Sequence, residues 1–192
     1  MSTDLFRWHQ YQGDGTNDCA AYCVAILANA WFRGLHLQGS AVAQDMERPI
    51  WARAPVPHPT LHKIPHWAAL PWGISGYLRR LGIPARLRWL GSTEDLLRNI
   101  LNHRLTIVLV GEPFRHVRFT FRGWAHTKLL YGYEPLGPHP EKGFYFVDPG
   151  FPKEWSNPRH PAGVFRQDEG EFRKQWGRML RLYIETESSP AG

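Results

Sequence analysis

Cysteine is the scarcest reactive residue in this chain, with only Cys19 and Cys23 among 192 residues. Two thiols exclude a disulfide-built scaffold and a four-cysteine zinc site. Four residues apart on one helix, they would rise in parallel, which is poor geometry for a bridge. Unbridged thiols fit a reducing compartment. No run of about 18 apolar residues is present, so no transmembrane helix is expected. The opening, MSTDLFRWHQ, lacks a basic segment followed by an apolar one. No signal peptide is therefore expected, and the cytoplasm is the expected location. Internal repeats and low-complexity tracts are also missing.

What is present is a chain of single-domain length, 1–192, with 43% apolar residues, enough for a real core. Its formal charge is +6. A basic balance can signal nucleic acid, an acidic substrate or a membrane surface. Here the charges are scattered. The densest group is Arg79, Arg80, Arg86 and Arg88, where Arg86 and Arg88 alternate with Leu87 and Trp89 as on the solvent face of a strand. We read it as a solvated face and expect no nucleic acid. A steep salt dependence of DNA or RNA binding would revive that class.

Residues 16–34 carry the clearest local signal. Thr16, Asn17 and Asp18 offer N-cap side chains, CAAYCVAILANAWFR is apolar on nearly every side, and Gly34 suits a C-terminal stop. This predicts a helix buried all round. A short helix over 40–47 follows. Residues 49–71 hold six prolines, and no regular element is expected there. That segment is read as a long loop insertion, a lid or a crossover. Further on, the pattern predicts a helix over 74–81 stopped by Gly82, then a strand over 85–90. A helix over 92–103 follows, with Ser92 and Asp95 in a partial capping box. Strands are expected over 105–110, 117–121, 126–133 and 143–149, then a last short helix, a last strand and a disordered tail at 187–192. Helices first and antiparallel strands later make an α+β layout.

Four residues can carry nucleophilic chemistry. Behind a cap at Asp18 or Asn17, Cys19 would sit in the first turn of its helix, where unpaired N–H groups favour a thiolate. Cys23, one turn deeper, reads as a small buried hydrophobe. Among ten histidines, His126 stands out as the opening residue of a strand, with Gly123 allowing a turn before it. His58, His62 and His66 are spaced by four like metal ligands on a helix, but Pro59 and Pro65 argue against that helix, so no metal site is expected. Asp148, at a strand end, could orient the imidazole if its strand lies beside that of His126. Gln12 is the candidate oxyanion donor beside the Cys19 N–H, with Gln10 as fallback.

The order QYQGDGTNDC, apolar helix, GWAHTKLLYGYEP, GFYFVDPG resembles the papain-like peptidases that remove bacteriocin leaders, the double-glycine peptidases, and their stand-alone relatives. LRRLGIPARLRWLGSTEDLLRNILNHRLTIVLV resembles the middle of that family, and EFRKQWGRMLRLYIE its ending. The resemblance touches most of residues 10–186. It implies a papain-like fold with the N-terminal helix packed on an antiparallel sheet, and a cysteine peptidase using Cys19, His126 and Asp148, with Gln12 at the oxyanion. No cofactor or metal is implied. The implied partner is a peptide or protein with small residues at the cleavage site, such as Gly-Gly. Oligomeric state is left open. The chain departs from the family at Ala20, where Gly is usual, in a Gln-to-Cys spacing one longer, and in the insertion 49–71. Two rivals share the scaffold: an acyltransferase, in which an amine or thiol replaces water, and a degenerate domain that only binds peptides.

Overall fold

A computed structural model describes residues 5–189 apart from 49, 53–57, 61, 65–67, 118–119 and 136–141. After a 3-10 turn at Leu5–Trp8, the chain forms α1 (Cys19–Phe32) and α2 (Gly39–Glu47), then the strand pair β1 (Ile50–Ala52) and β2 (His58–Thr60). There follow α3 (Pro71–Arg80), β3 (Ala85–Arg88), α4 (Thr93–Leu101), β4 (Thr106–Val117), β5 (Thr120–Glu134), β6 (Gly143–Val147), β7 (Val164–Asp168), α5 (Glu169–Arg178) and β8 (Tyr183–Thr186). Six strands form one antiparallel sheet in the order β3-β8-β4-β5-β6-β7.

Side-chain alternation splits the core between the two faces of this sheet. Ile107, Leu109 and Leu129 point toward α1, α2 and α3 and join the buried residues of α1. Their neighbours Val108, Val110 and Leu130 point the other way, to Leu96 of α4 and Phe172 and Trp176 of α5. From Ala20 to Ala30, only Tyr22 in α1 escapes burial, as expected of a helix apolar all round. Asn29, buried there, exchanges two hydrogen bonds with the backbone of Leu37 and so ties the helix end to the next turn.

Several expectations are corrected. Asp18 is the N-cap of α1 but makes no side-chain capping bond; its carboxylate pairs instead with Lys63, 2.6 Å away. Arg33 rather than Gly34 takes the left-handed position that ends α1. Ser92 and Asp95 form a full capping box. Pro71, read as the end of a loop, is the first residue of α3, where its missing N–H costs nothing. The segment 49–71 holds regular structure after all: β1 and β2 pair antiparallel, with Trp51 opposite Pro59. A proline is tolerated in a two-stranded pair because both strands have a free edge.

Residues 117–121 are not a separate strand. They straddle the end of β4 and the start of β5, which form one long hairpin. His126 therefore sits inside β5 rather than opening it. The turn expected at Gly123 is absent, and the irregularity lies in β4 instead, where the register shifts between Glu112 and Arg115. Strand β7 was not anticipated. The start of the supposed tail is held, since Glu187 bonds Arg86 and its N–H donates to Pro84; residues 190–192 lie outside the described residues. The arginine group is answered by carboxylates, Arg80 by Asp45, Arg86 by Glu187 and Arg88 by Glu185.

Candidate active site

The N-terminus of α1 faces the middle of β5, and the loop after β6 closes the arrangement. Because β6 runs antiparallel to β5 with Val147 opposite Leu129, the next residue, Asp148, falls opposite Lys128, two residues along β5 from His126. His126 Nε2 donates to Asp148 Oδ1 at 2.6 Å. That leaves Nδ1 as the ring nitrogen available to Cys19, which borders the same cavity as His126. Asp148 is buried and also accepts the Gly150 N–H at 2.8 Å. A side chain at position 150 would bring a Cβ to 3.0 Å from His126 Cε1 and 3.1 Å from Asp148 Oδ1, so any larger residue would push on the imidazole and its carboxylate. His9, unremarked in the sequence, supports the same loop from below, with its Nε2 donating to the Asp148 carbonyl at 2.9 Å.

The charges reinforce one another. Burial alone would push the Cys19 thiol up, but the hydrogen bond and charge of His126, with a smaller contribution from Thr127, bring it below its ordinary value. Burial pulls His126 down, yet the charge and hydrogen bond of Asp148, joined by Cys19, lift it to about 10. Asp148 feels burial as an upward push and is held lower by His126, by the Lys128 ammonium and by the Gly150 N–H. At neutral pH this combination favours thiolate, imidazolium and carboxylate together. Cys23 is its counter-example. Burial and the nearby Cys19 push its thiol well up, and its S–H donates to the Thr127 carbonyl at 3.3 Å. Both cysteines are free.

Gln12 lies at the cleft, and its N–H bonds the Pro149 carbonyl at 3.0 Å, fixing it to the loop that carries Asp148. Its side-chain oxygen is buried without a hydrogen-bond partner. Gln10 is committed elsewhere, to the Leu37 carbonyl and the Gly39 N–H. His62 is buried beneath α3 against Tyr77, with its Nδ1 unpartnered. His66 and the His58 side chain lie outside the described residues. Asn157 serves its own turn, accepting the Arg159 N–H.

Two cavities flank the His126 ring. One, of about 250 Å³, contains Cys19, Ala20, Ala68, Ala69 and Thr127. The other, of about 560 Å³, contains Asp148, Lys128, Phe146, Phe151, Gln167 and Gln175. Gln12, Trp124, Ala125 and His126 border both. Two lysines here were invisible in the sequence. Lys128 follows His126 by two, so it shares its face of β5. Lys63 belongs to the proline-rich segment and is buried between Asp18 and Glu47, each about 2.6 Å or less from its ammonium. Among the described residues, no cluster suited to a metal ion is found and no helix is long and apolar enough to cross a membrane.

No family model and no curated protein matches the chain. Among solved structures, it is similar to the "putative C39-like peptidase from Bacillus anthracis", with a TM-score of 0.64 over 100% of both chains at 12% identity. At that identity the likeness carries the fold alone: this chain has the α+β, papain-like fold of that C39-like structure.

Proposed function

We propose that this chain is a cysteine peptidase akin to the stand-alone double-glycine peptidases, with Cys19 as nucleophile, His126 as its acid and base, Asp148 as the orienting carboxylate and Gln12 as an oxyanion donor. The observation that carries this reading is one imidazole that borders a cavity together with Cys19 and bonds, at 2.6 Å, to a buried aspartate. The Cys19 thiolate attacks the amide carbonyl carbon, and the carbonyl electrons move to oxygen. The oxyanion lies between the Cys19 N–H, at the positive end of α1, and the Gln12 amide. When the carbonyl re-forms, the C–N bond breaks and the amine departs with the proton from His126. Water then attacks the thioester, giving its proton to His126, and the carboxylic acid leaves as the thiolate returns. An amine in place of water would make the same acyl-enzyme an acyltransferase. The free thiols support a reducing, cytoplasmic setting.

The test is labelling of the folded protein with iodoacetamide at neutral pH, peptide mapping, and digestion of a peptide mixture containing Gly-Gly and Ala-Gly sites. Cys19 should be labelled far faster than a free thiol of ordinary pKa, and cleavage should vanish in Cys19→Ala and His126→Ala. Ordinary reactivity at Cys19, or cleavage that survives either substitution, removes this function.

A further inference from the structure

The larger cavity beside His126 has one ammonium with no carboxylate within ion-pair distance among the described residues. Lys128 is 6% exposed and lines that cavity. Its ammonium sits 4.0 Å above the Phe146 ring centroid and donates to Gln167 Oε1, a neutral acceptor. The nearby Arg166 differs, since Glu134 and Asp168 already answer it. Asp148 attracts Lys128, but its Oδ1 is occupied by His126 and Gly150. An ammonium has three N–H donors and Gln167 takes one. A buried cation with neutral partners keeps an unpaid desolvation cost, which an incoming anion would offset.

The position of the cavity says which part of a substrate meets this cation. This step rests on the function proposed above. The acyl part stays covalently on Cys19, in the smaller cavity. The departing amine must take its proton from His126, and so leaves past the ring. The cavity that reaches His126 without touching Cys19 is where that fragment extends. Val110, Phe146, Phe151 and Phe165 give it apolar walls, and Lys128 with its Gln167–Gln175 amide chain gives it a polar floor.

We propose that this cavity is the leaving-group subsite and that it selects a fragment carrying a carboxylate, paired with the Lys128 ammonium. The carboxylate comes from an acidic side chain or from a chain terminus close behind the scissile bond.

Acyl-enzyme interception separates these sources, because an attacking amine occupies the same subsite as a departing one. p-Nitrophenyl acetate transfers its acetyl to the Cys19 sulfur and releases p-nitrophenolate. An added amine then forms the new C–N bond, its proton passes to His126 and the thiolate leaves. The amines are glutamate amide (side-chain acid), free glutamine (terminal acid) and glutamine amide (neither), with Cys19→Ala as background and acetylated products measured by mass spectrometry. One or both acids should intercept about tenfold more than glutamine amide, the scale of one charge-assisted hydrogen bond. Lys128→Met should erase that ratio and Lys128→Arg should keep much of it. Should Lys128→Met not fold, the wild-type series decides alone. Equal interception by all three amines, or by none, overturns the subsite and leaves the proposed function standing. No Cys19-dependent acetylation overturns the proposed function, and this subsite with it.

Discussion

Two thiols one helical turn apart receive opposite treatment. Cys19 meets an imidazolium and its thiol falls; Cys23 meets apolar surroundings and a thiolate neighbour, and its thiol rises. Alkylation at neutral pH should therefore mark Cys19 and spare Cys23, as read by mass spectrometry of the labelled peptides; equal labelling would mean the His126 contact does not activate the thiol. Asp148→Asn keeps the shape but removes the charge that lifts His126. Turnover should fall roughly ten- to a thousand-fold, less than in serine triads, because a thiolate–imidazolium pair formed beforehand depends less on its third member. The labelling pKa of Cys19 should rise as well, and an unchanged pH profile would reduce Asp148 to a strand-end residue.

At the scale of elements, the bridged pair Lys63 and Ala69, with Ala68, forms a wall rather than a spacer. Lys63 clamps it to Asp18, the residue before Cys19, and to Glu47 of α2, while Ala68 and Ala69 border the Cys19 cavity. Lys63→Met leaves two partly buried carboxylates facing each other. We expect KM to rise more than kcat falls for any cleaved peptide, and stability to drop by about 1–3 kcal/mol, less than for a fully buried pair because both carboxylates reach solvent. Gly111 plays a comparable part for β5. A Cβ there would lie 2.1 Å from the Trp124 carbonyl oxygen, and its φ of 156° is one that side chains rarely adopt. Gly111→Ala should lower stability by more than about 1 kcal/mol in denaturant melts and disturb the strand that carries His126. These features mark the limit of legibility in the sequence. The apolar run of α1 and the Ser92–Asp95 box are local signals, and they placed their helices. Cys19, His126 and Asp148 stood out by residue type and position in their elements, and the family resemblance added to that reading. Lys63 and Lys128 did not stand out, because a lysine reads as solvated until tertiary packing buries it. The hairpin was cut before His126 because Gly123 reads as a turn, whereas β5 runs through it, paired with β4 on either side.

For the whole molecule, the charge pair sets a pH profile of stability. His126 alone, raised from 6.5 to about 10, contributes stability that is complete below 6.5 and lost as pH climbs through about 10. Cys19 alone, lowered from 9.0, contributes stability present above 9.0 and lost as pH falls through its depressed value. Above both 6.5 and the depressed Cys19 value, and below 9.0, the proton that His126 gains on folding is the one Cys19 gives up, so their joint contribution is level. The difference in unfolding midpoint between wild type and a Cys19→Ala, His126→Ala double variant should stay flat across that window and shrink above it; a steady slope inside the window would mean the pair is not ionised. Sheet order carries a consequence of another kind. β8, the last strand in sequence, lies inside the sheet, hydrogen-bonded to β3 on one side and β4 on the other. Such pairings close the longest loops in the chain and form slowly. During synthesis, the residues that would make Cys19 reactive emerge well before the strand that joins β3 to the rest of the sheet. A nascent chain thus carries Cys19, His126 and Asp148 long before it has a finished sheet to fix their geometry.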